Sequence, residues 1–169
     1  MSIRNMVCML CEHEIQDGEP RFYFPKLPSS HHLSDIKGVL HTSCLVSADA
    51  LRDIGGSMAE IAEGLARRSE SAPFVSREGN VVLRNRISDG RIEVLDFEDF
   101  CEISIPLAAM GKLKVAEPGT LIVLGMQVLH VEDDGQLVIE HKSPAFDVRL
   151  PALNLSRLQS LLADASKPV

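Results

Sequence analysis

Two pairs of metal-binding residues at matched spacing constrain the fold of this 169-residue chain more than any other feature. They form the pattern C-x2-C-x29-H-x2-C and are Cys8, Cys11, His41 and Cys44. A Cys-x-x-Cys turn directs both sulfur atoms at one ion, and thiolate and imidazole are the ligands that zinc prefers. Because four protein ligands leave no open coordination position, we predict a single Zn²⁺ with a structural role.

Other residues offer alternatives to this ligand set. The histidines His13, His31 and His32 lack paired spacing and lie in polar segments, where we expect exposed side chains. A redox dithiol at Cys8 and Cys11 is a weaker alternative, because the βαβ setting typical of such motifs is missing. We expect the remaining cysteine, Cys101, to be buried and unreactive, since acidic neighbours raise a thiol pKa.

The residues around the ligand pairs predict a treble-clef finger. Asp17-Gly18 is a turn signal, the β-prone run Arg21–Phe24 follows it, and residues 39–40 would form the return strand. After Cys44, apolar residues recur at helical spacing as far as Ile54. A cysteine knuckle, a hairpin and a ligand pair that opens a helix make up the treble-clef arrangement.

The same segment resembles the poly(ADP-ribose) polymerase-type zinc finger. The resemblance rests on the pattern C-x2-C-x3-I-x2-G-x2-R followed by H-x2-C, formed by Cys8, Cys11, Ile15, Gly18, Arg21, His41 and Cys44. It implies a Cys3His zinc site and, in that family, recognition of DNA breaks. The resemblance is confined to the amino-terminal part of the chain.

Charge and composition narrow the classes of partner. The formal net charge is −7, and neither end of the chain has the basic excess expected of a duplex-binding surface. No segment is apolar enough to cross a membrane or to act as a signal peptide, so we expect a cytoplasmic protein. Thiols stay reduced in that compartment, which favours metal ligation over disulfide formation.

The patterning predicts an α+β protein made of a treble clef, helices, an antiparallel β-rich region and a carboxy-terminal helix. We divide it into a zinc-finger module (1–46), a helical connector (47–70) and a β-rich domain with the final helix (71–169). Within the connector, Ser57 and Glu60 form a candidate capping box for a helix that runs to about Arg68. Gly55-Gly56 would separate it from the preceding helix, and Met58, Ile61 and Leu65 would face inward.

Two Asp-Gly turns predict hairpins in the β-rich region. The first turn, Asp89-Gly90, joins Val81–Ser88 to Arg91–Phe97 and places Arg86 opposite Glu93 and Ile87 opposite Ile92. The second turn, Asp134-Gly135, joins Leu121–Asp133 to Gln136–His141 and places Val131 opposite Val138.

Three further elements complete the expected fold. They are a short helix over Pro106–Leu113, a last strand over Phe146–Leu150, and a final helix over 154–165. Leu155, Leu158 and Leu162 would form the buried stripe of the final helix. The alternative for this stripe is a partner-binding surface.

The densest carboxylate group lies in the segment LDFEDFCEI, residues 95–103. It is a candidate docking surface for a basic protein, with two phenylalanines as apolar anchors between the charges. Phe22 and Phe24 of the finger are further candidates, although alternation along the strand also predicts packing beneath the hairpin. The full candidate partner surface is Phe22, Phe24, Asp96, Phe97, Glu98, Asp99 and Phe100.

Function follows from these features. The sequence has no nucleophile motif, phosphate-binding glycine loop or His-Glu-x-x-His helix, so we expect no enzymatic activity. The favoured hypothesis is a zinc-binding adaptor or inhibitor, for example an immunity-type protein, with a protein partner that is basic. The alternatives are a nucleic-acid-binding zinc-finger regulator and a metal-dependent hydrolase that uses Asp96 and Glu98.

Overall fold

The computed structural model describes residues 6–24, 26–47, 54–140 and 146–164. The chain divides into two compact units, Met1–Arg52 and Asp53–Val169. Both contain helices and antiparallel strands, which confirms the predicted α+β class. None of the helices among these residues has the length and apolar character required to span a bilayer.

The first unit is built from two short hairpins and a helix. Strands β1 (Met6–Val7) and β2 (Glu14–Ile15) pair antiparallel, as do β3 (Arg21–Phe24) and β4 (Gly38–His41). Helix α1 (Thr42–Ser47) follows β4 directly. The rest of the helix that we predicted to continue toward Ile54 falls on residues 48–53, outside the described part of the chain.

Alternation along β3 decides which aromatic side chains are exposed. Phe24 is buried, Phe22 is half-buried, and their rings meet edge to face with centroids 6.5 Å apart. Tyr23 between them is exposed. Phe24 therefore contributes to the core rather than to a partner surface, because successive side chains of a strand point to opposite faces.

The second unit begins with a helix and a four-stranded meander. Helix α2 spans Ile54–Ala66. Its sheet has the order β5-β6-β7-β8, and every neighbouring pair is antiparallel. The strands are β5 (Phe74–Glu78), β6 (Val81–Arg86), β7 (Arg91–Asp96) and β8 (Cys101–Pro106).

A second meander and two helices complete this unit, and its strand order is β12-β11-β10-β9. The elements are α3 (Met110–Lys114), β9 (Leu121–Val123), β10 (Val128–Val131), β11 (Leu137–Glu140), β12 (Val148–Leu150) and α4 (Leu155–Asp164). Both sheets, α3 and α4 contribute to one hydrophobic core. The predicted stripe of Leu155, Leu158 and Leu162 is buried in it, and the short helix before β9 and the last strand are also confirmed.

Helix α2 differs from the prediction in its first turns. It includes Ile54, Gly55 and Gly56, so Ser57 is not its cap. A Cβ on Gly55 would stand 2.4 Å from the carbonyl oxygen of Phe97. The glycine therefore permits close packing of helix on backbone rather than marking a break. Leu65, predicted to face inward, is exposed.

The first hairpin has a different turn and register from those predicted. Residues 87–89 form a 3-10 turn, and the strands pair Arg84 with Glu93 and Arg86 with Arg91. The predicted register is therefore wrong by two residues. A shift of two keeps every side chain on its own face, because the period of a strand is two. Glu93 is buried and its carboxylate pairs with both Arg84 and Arg86.

The second hairpin is wrong by one residue, since Val131 pairs with Leu137 and not with Val138. The Gly135 amide donates to the Glu132 carbonyl at 2.9 Å, and Gly135 has φ of 83°. A turn closed by a glycine in the left-handed region adds a residue to the loop, which moves the register. The Asp-Gly signal located the hairpin but not its loop length.

Candidate metal centre

Tight backbone hydrogen bonds shape the knuckle that carries the first ligand pair. Cys8 follows β1, its amide donates to the His13 carbonyl at 2.9 Å, and its carbonyl accepts from the Glu12 amide at 2.8 Å. Glu12 has φ of 61°, in the left-handed region, where the chain turns back toward β2. The knuckle thus holds the Cys8 and Cys11 side chains on one side of a compact loop.

The second pair comes from the junction of a strand and a helix. His41 is the last residue of β4, and Cys44 lies in the first turn of α1. The pairing of Arg21 with His41 in the β3–β4 hairpin fixes the position of the histidine. The long loop between β3 and β4 therefore returns the chain to the knuckle, as the sequence spacing predicted.

The four predicted ligands converge in the structure. One ligand atom from each of Cys8, Cys11, His41 and Cys44 lies within 4.8 Å of the others. The Nδ1 atom of His41 is the nitrogen that faces the sulfurs, at 3.3 Å from Cys11 Sγ and 3.8 Å from Cys44 Sγ. Three sulfurs and one nitrogen in this arrangement are compatible with a tetrahedral zinc site.

A residue that the sequence analysis missed orients the histidine. Glu19 Oε2 lies 3.2 Å from His41 Nε2 and also accepts the Gln16 amide at 2.9 Å. A carboxylate on the outer nitrogen of a ligand histidine holds the proton there and leaves the other nitrogen free to bind metal. The only available signal was the β3–β4 register, which places Glu19 just before the strand that pairs with His41.

Burial and hydrogen bonding shift the pKa values of the Cys8 and Cys44 thiols in opposite directions. Cys8 is fully buried, and its sulfur accepts from the His41 amide at 3.3 Å. Burial acts to raise the pKa of Cys8, but the backbone amides of His41, Cys11 and Leu10 outweigh it and lower this pKa to about 6. Burial and the neighbouring sulfurs of Cys11 and Cys8 raise the pKa of Cys44 to about 12.

These opposite shifts occur where three sulfurs share one small volume. Three sulfurs in one small volume repel one another when they are ionised, so the last proton is held strongly. A divalent ion replaces those protons and allows all three cysteines to bind as thiolates. The donor set therefore fits a metal, and its softness favours zinc over calcium or magnesium.

The other histidines lie apart from this group. His13 is exposed, and the rings of His31 and His32 stack with centroids 4.6 Å apart. Across the described ranges, the Cys3His cluster is the only group of three or more potential ligands that converge. Asp96 and Glu98 do not belong to a converging group of this size in the described ranges.

The acidic segment is mostly interior, which corrects the docking surface predicted there. Asp96 is 0%, Asp99 5%, and Phe97 and Phe100 each 6% exposed. Glu98 is half-buried and forms an ion pair with Arg157 at 2.8 Å. The two phenylalanines cannot serve as surface anchors, because they are packed inside the second unit.

The two aspartates instead organise the turn between β7 and β8. Asp96 Oδ1 accepts from the amides of Glu98 at 2.8 Å and of Asp99 at 3.1 Å. Asp99 accepts the Ala152 amide at 3.1 Å. Burial, together with the charge of Asp96, raises the pKa of Asp99 to about 7. Burial also raises the pKa of Asp96, so both shifts disfavour two negative charges in this water-poor site.

Cys101 lies beside this pair. Burial, with the charges of Asp96, Asp99 and Glu102 behind it, raises the pKa of the thiol well above its usual range. The direction of this shift is the one expected from the acidic neighbours in the sequence. A thiol held in its neutral form is a poor nucleophile.

Comparison with known proteins adds no relative: no protein-family model, curated protein or solved structure gives a significant match to the chain. The α+β fold and the Cys3His cluster are thus the properties on which a functional argument can rest.

Proposed function

We propose that this chain is a non-enzymatic zinc-binding interaction protein, an adaptor or an inhibitor, whose first unit is a treble-clef finger related to the poly(ADP-ribose) polymerase type. The convergence of Cys8, Cys11, His41 and Cys44 carries the proposal. Four protein ligands complete the coordination shell of zinc, which leaves no position for a substrate or a reactive water.

The role of the metal in this proposal is to fold the first unit. The ligands join the knuckle to the junction of β4 and α1, two parts of the chain about thirty residues apart. The apolar core of so small a unit is limited, and metal binding supplies folding free energy in such modules. A reducing, cytoplasmic setting would keep the thiols available for the ion.

Exposed apolar side chains on the first unit support a protein partner. Large hydrophobic side chains at a protein surface mark an interaction site where they form a contiguous patch, whereas isolated ones are normal. Those in the first unit are Val7, Met9, Leu10, Tyr23 and Val46. The net charge of −7 favours a basic protein over nucleic acid as the partner.

Metal analysis with matched serine variants tests the proposal. We expect one zinc per chain in the purified protein and loss of the amide signals of β3, β4 and α1 after chelation. Cys44→Ser should lower zinc affinity by orders of magnitude, because it removes one of four ligands. Cys101→Ser, which lies outside the cluster, is the control and should bind zinc normally. Signals that persist unchanged in zinc-free protein would contradict the proposal.

A further inference from the structure

The knuckle between β1 and β2 exposes three large apolar side chains that are close in sequence. Val7 and Met9 are each 51% exposed and Leu10 is 37% exposed, although all three lie within three positions of a metal-binding cysteine. Cys8, between the first two, is fully buried. The backbone thus turns the ligand inward and its neighbours outward.

The local fold holds these side chains in place. The Cys8–Glu12 and Cys8–His13 backbone hydrogen bonds close the knuckle, and β1 pairs with β2 on either side of it. A metal bound at Cys8 and Cys11 would immobilise the loop further. A rigid loop loses little conformational entropy on binding, which favours its use as a contact surface.

Carboxylates border the apolar side chains. Val7 pairs across the strands with Glu14, and Glu12 directly follows Cys11. Both glutamates are exposed, and neither forms an ion pair with another residue in the described part of the chain. Residues 6–19 contain four carboxylates and no lysine or arginine. The knuckle segment itself is therefore negative, and Glu14 lies directly beside Val7.

We propose that the knuckle surface, defined as Val7, Met9, Leu10, Glu12 and Glu14, binds a basic amphipathic peptide segment of a protein partner. The apolar side chains of that segment cover Val7, Met9 and Leu10, and its lysines or arginines pair with Glu12 and Glu14. Nucleic acid does not fit this surface, because its phosphates would lie against the glutamates. The inference rests on the proposed function and identifies the docking face and the chemistry of the partner.

Titration of the zinc-loaded, ¹⁵N-labelled full chain with defined probes tests the inference. The first probe is a Leu/Lys amphipathic peptide of about 16 residues, long enough for four helical turns. The second probe is the same peptide with every lysine replaced by glutamate, and the third is a DNA duplex. We expect the Leu/Lys peptide alone to shift the amide signals of residues 6–14, with an affinity that weakens as salt is raised.

Paired variants locate the contact. Met9→Glu with Leu10→Glu should weaken binding of the Leu/Lys peptide by about tenfold or more, because the apolar contact is lost. Glu12→Gln with Glu14→Gln should weaken binding and reduce its salt dependence. Leu65→Glu changes an exposed apolar residue of the second unit and is the control, with no expected effect.

Each outcome has a defined meaning. Shifts outside the knuckle, equal binding of the glutamate peptide, or unchanged affinity in the Met9/Leu10 variant would overturn the inference. Binding of the duplex at residues 6–14 would overturn it in favour of nucleic acid. These failures are distinct from failure of the proposed function, which is measured by zinc content and by the response of β3, β4 and α1 to chelation.

Discussion

At the scale of single residues, we expect the contact between Glu19 and His41 to raise the zinc affinity of the cluster. Glu19→Gln keeps an oxygen acceptor but removes the charge that holds the proton on His41 Nε2, 3.2 Å away. Loss of such an outer partner lowers metal affinity by about 10–100-fold in comparable sites. We expect a decrease of this size, measured by competition with a chromophoric chelator.

The control for this variant is Asp17→Asn, an exposed carboxylate in the turn before Glu19. It changes the same charge close to the site without touching the histidine in the structure. Equal zinc affinities for the two variants would show that Glu19 acts only through its negative charge and not through its contact with His41. A selective effect at Glu19 would establish it as a positioning residue.

At the scale of secondary-structure elements, helix α2 contains a steric test of its packing. A Cβ at Gly55 would stand 2.4 Å from the Phe97 carbonyl oxygen, so helix or strand must move in Gly55→Ala. Overpacking of this kind costs about 1–3 kcal/mol. We expect the free energy of unfolding of the second unit to fall by that amount, measured by urea denaturation.

The same helix offers a matched control in Gly64→Ala. An added Cβ at Gly64 meets no atom within 4 Å, and the position is inside the helix. Alanine exceeds glycine in helix propensity by about 1 kcal/mol, so this variant should be slightly more stable than the wild type. Destabilisation by both alanines would mean that the helix, rather than the Gly55 contact, is sensitive.

The contrast between these glycines also explains what could be predicted from sequence at this scale. Apolar periodicity correctly located the final helix, because it records which face is buried, and the Asp-Gly signals located two hairpins. Strands β5 and β8 were missed, and the strand predicted over Leu121–Asp133 is divided into β9 and β10. The place of Gly55 inside α2 and the hairpin registers depend on local backbone geometry, such as the close approach of Gly55 to Phe97 and the conformation of Gly135 in its turn. Residue type is a weak indicator of such contacts, because a glycine can mark either a break in a helix or a position where two backbone segments pack closely.

The candidate site also had a part that could be predicted from sequence and a part that could not. Its ligands were predictable because zinc chemistry demands particular residue types at short spacing, and Cys8, Cys11, His41 and Cys44 do converge. The role of Glu19 was not predictable, because it depends on the pairing of β3 with β4, which brings Glu19 beside a histidine that is distant in sequence. Phe97 and Phe100 were misassigned to the surface, since carboxylates beside an aromatic residue suggest exposure, and here the carboxylates themselves are buried.

At the scale of the whole molecule, the buried pair of Asp96 and Asp99 links the stability of the second unit to pH. The pKa of Asp99 in the folded chain is about 7, above its ordinary value of 3.8, so the folded state binds more protons between these limits. The stabilising contribution is complete below about pH 4 and is lost as pH rises through 7. The slope reaches about 1.4 kcal/mol per pH unit for one proton.

The groups around Asp96 and Asp99 do not reverse the direction of this pH dependence. Glu98 and Cys101 lie next to it, and neither can supply positive charge, while Arg157 is committed to Glu98 at 2.8 Å and to Glu78 at 3.2 Å. Asp96 Oδ2 is buried without a hydrogen-bond partner. The neutral form of Asp99 is favoured because burial and the charge of Asp96 both disfavour its ionised form.

Asp99→Asn should therefore flatten the pH dependence of stability and make the second unit more stable than the wild type above about pH 7. Asparagine can accept the Ala152 amide as Asp99 does and donates a permanent hydrogen toward Asp96. The measurement is the urea midpoint across this pH range, followed through the amide signals of β7 and β8, so that metal release from the first unit does not enter. Asp133→Asn, an exposed carboxylate at the β10–β11 turn, should retain the wild-type slope. An unchanged slope in Asp99→Asn would mean that both aspartates are ionised in the folded protein, and the two negative charges would then have to be stabilised by the amides of the β7–β8 turn and of Ala152.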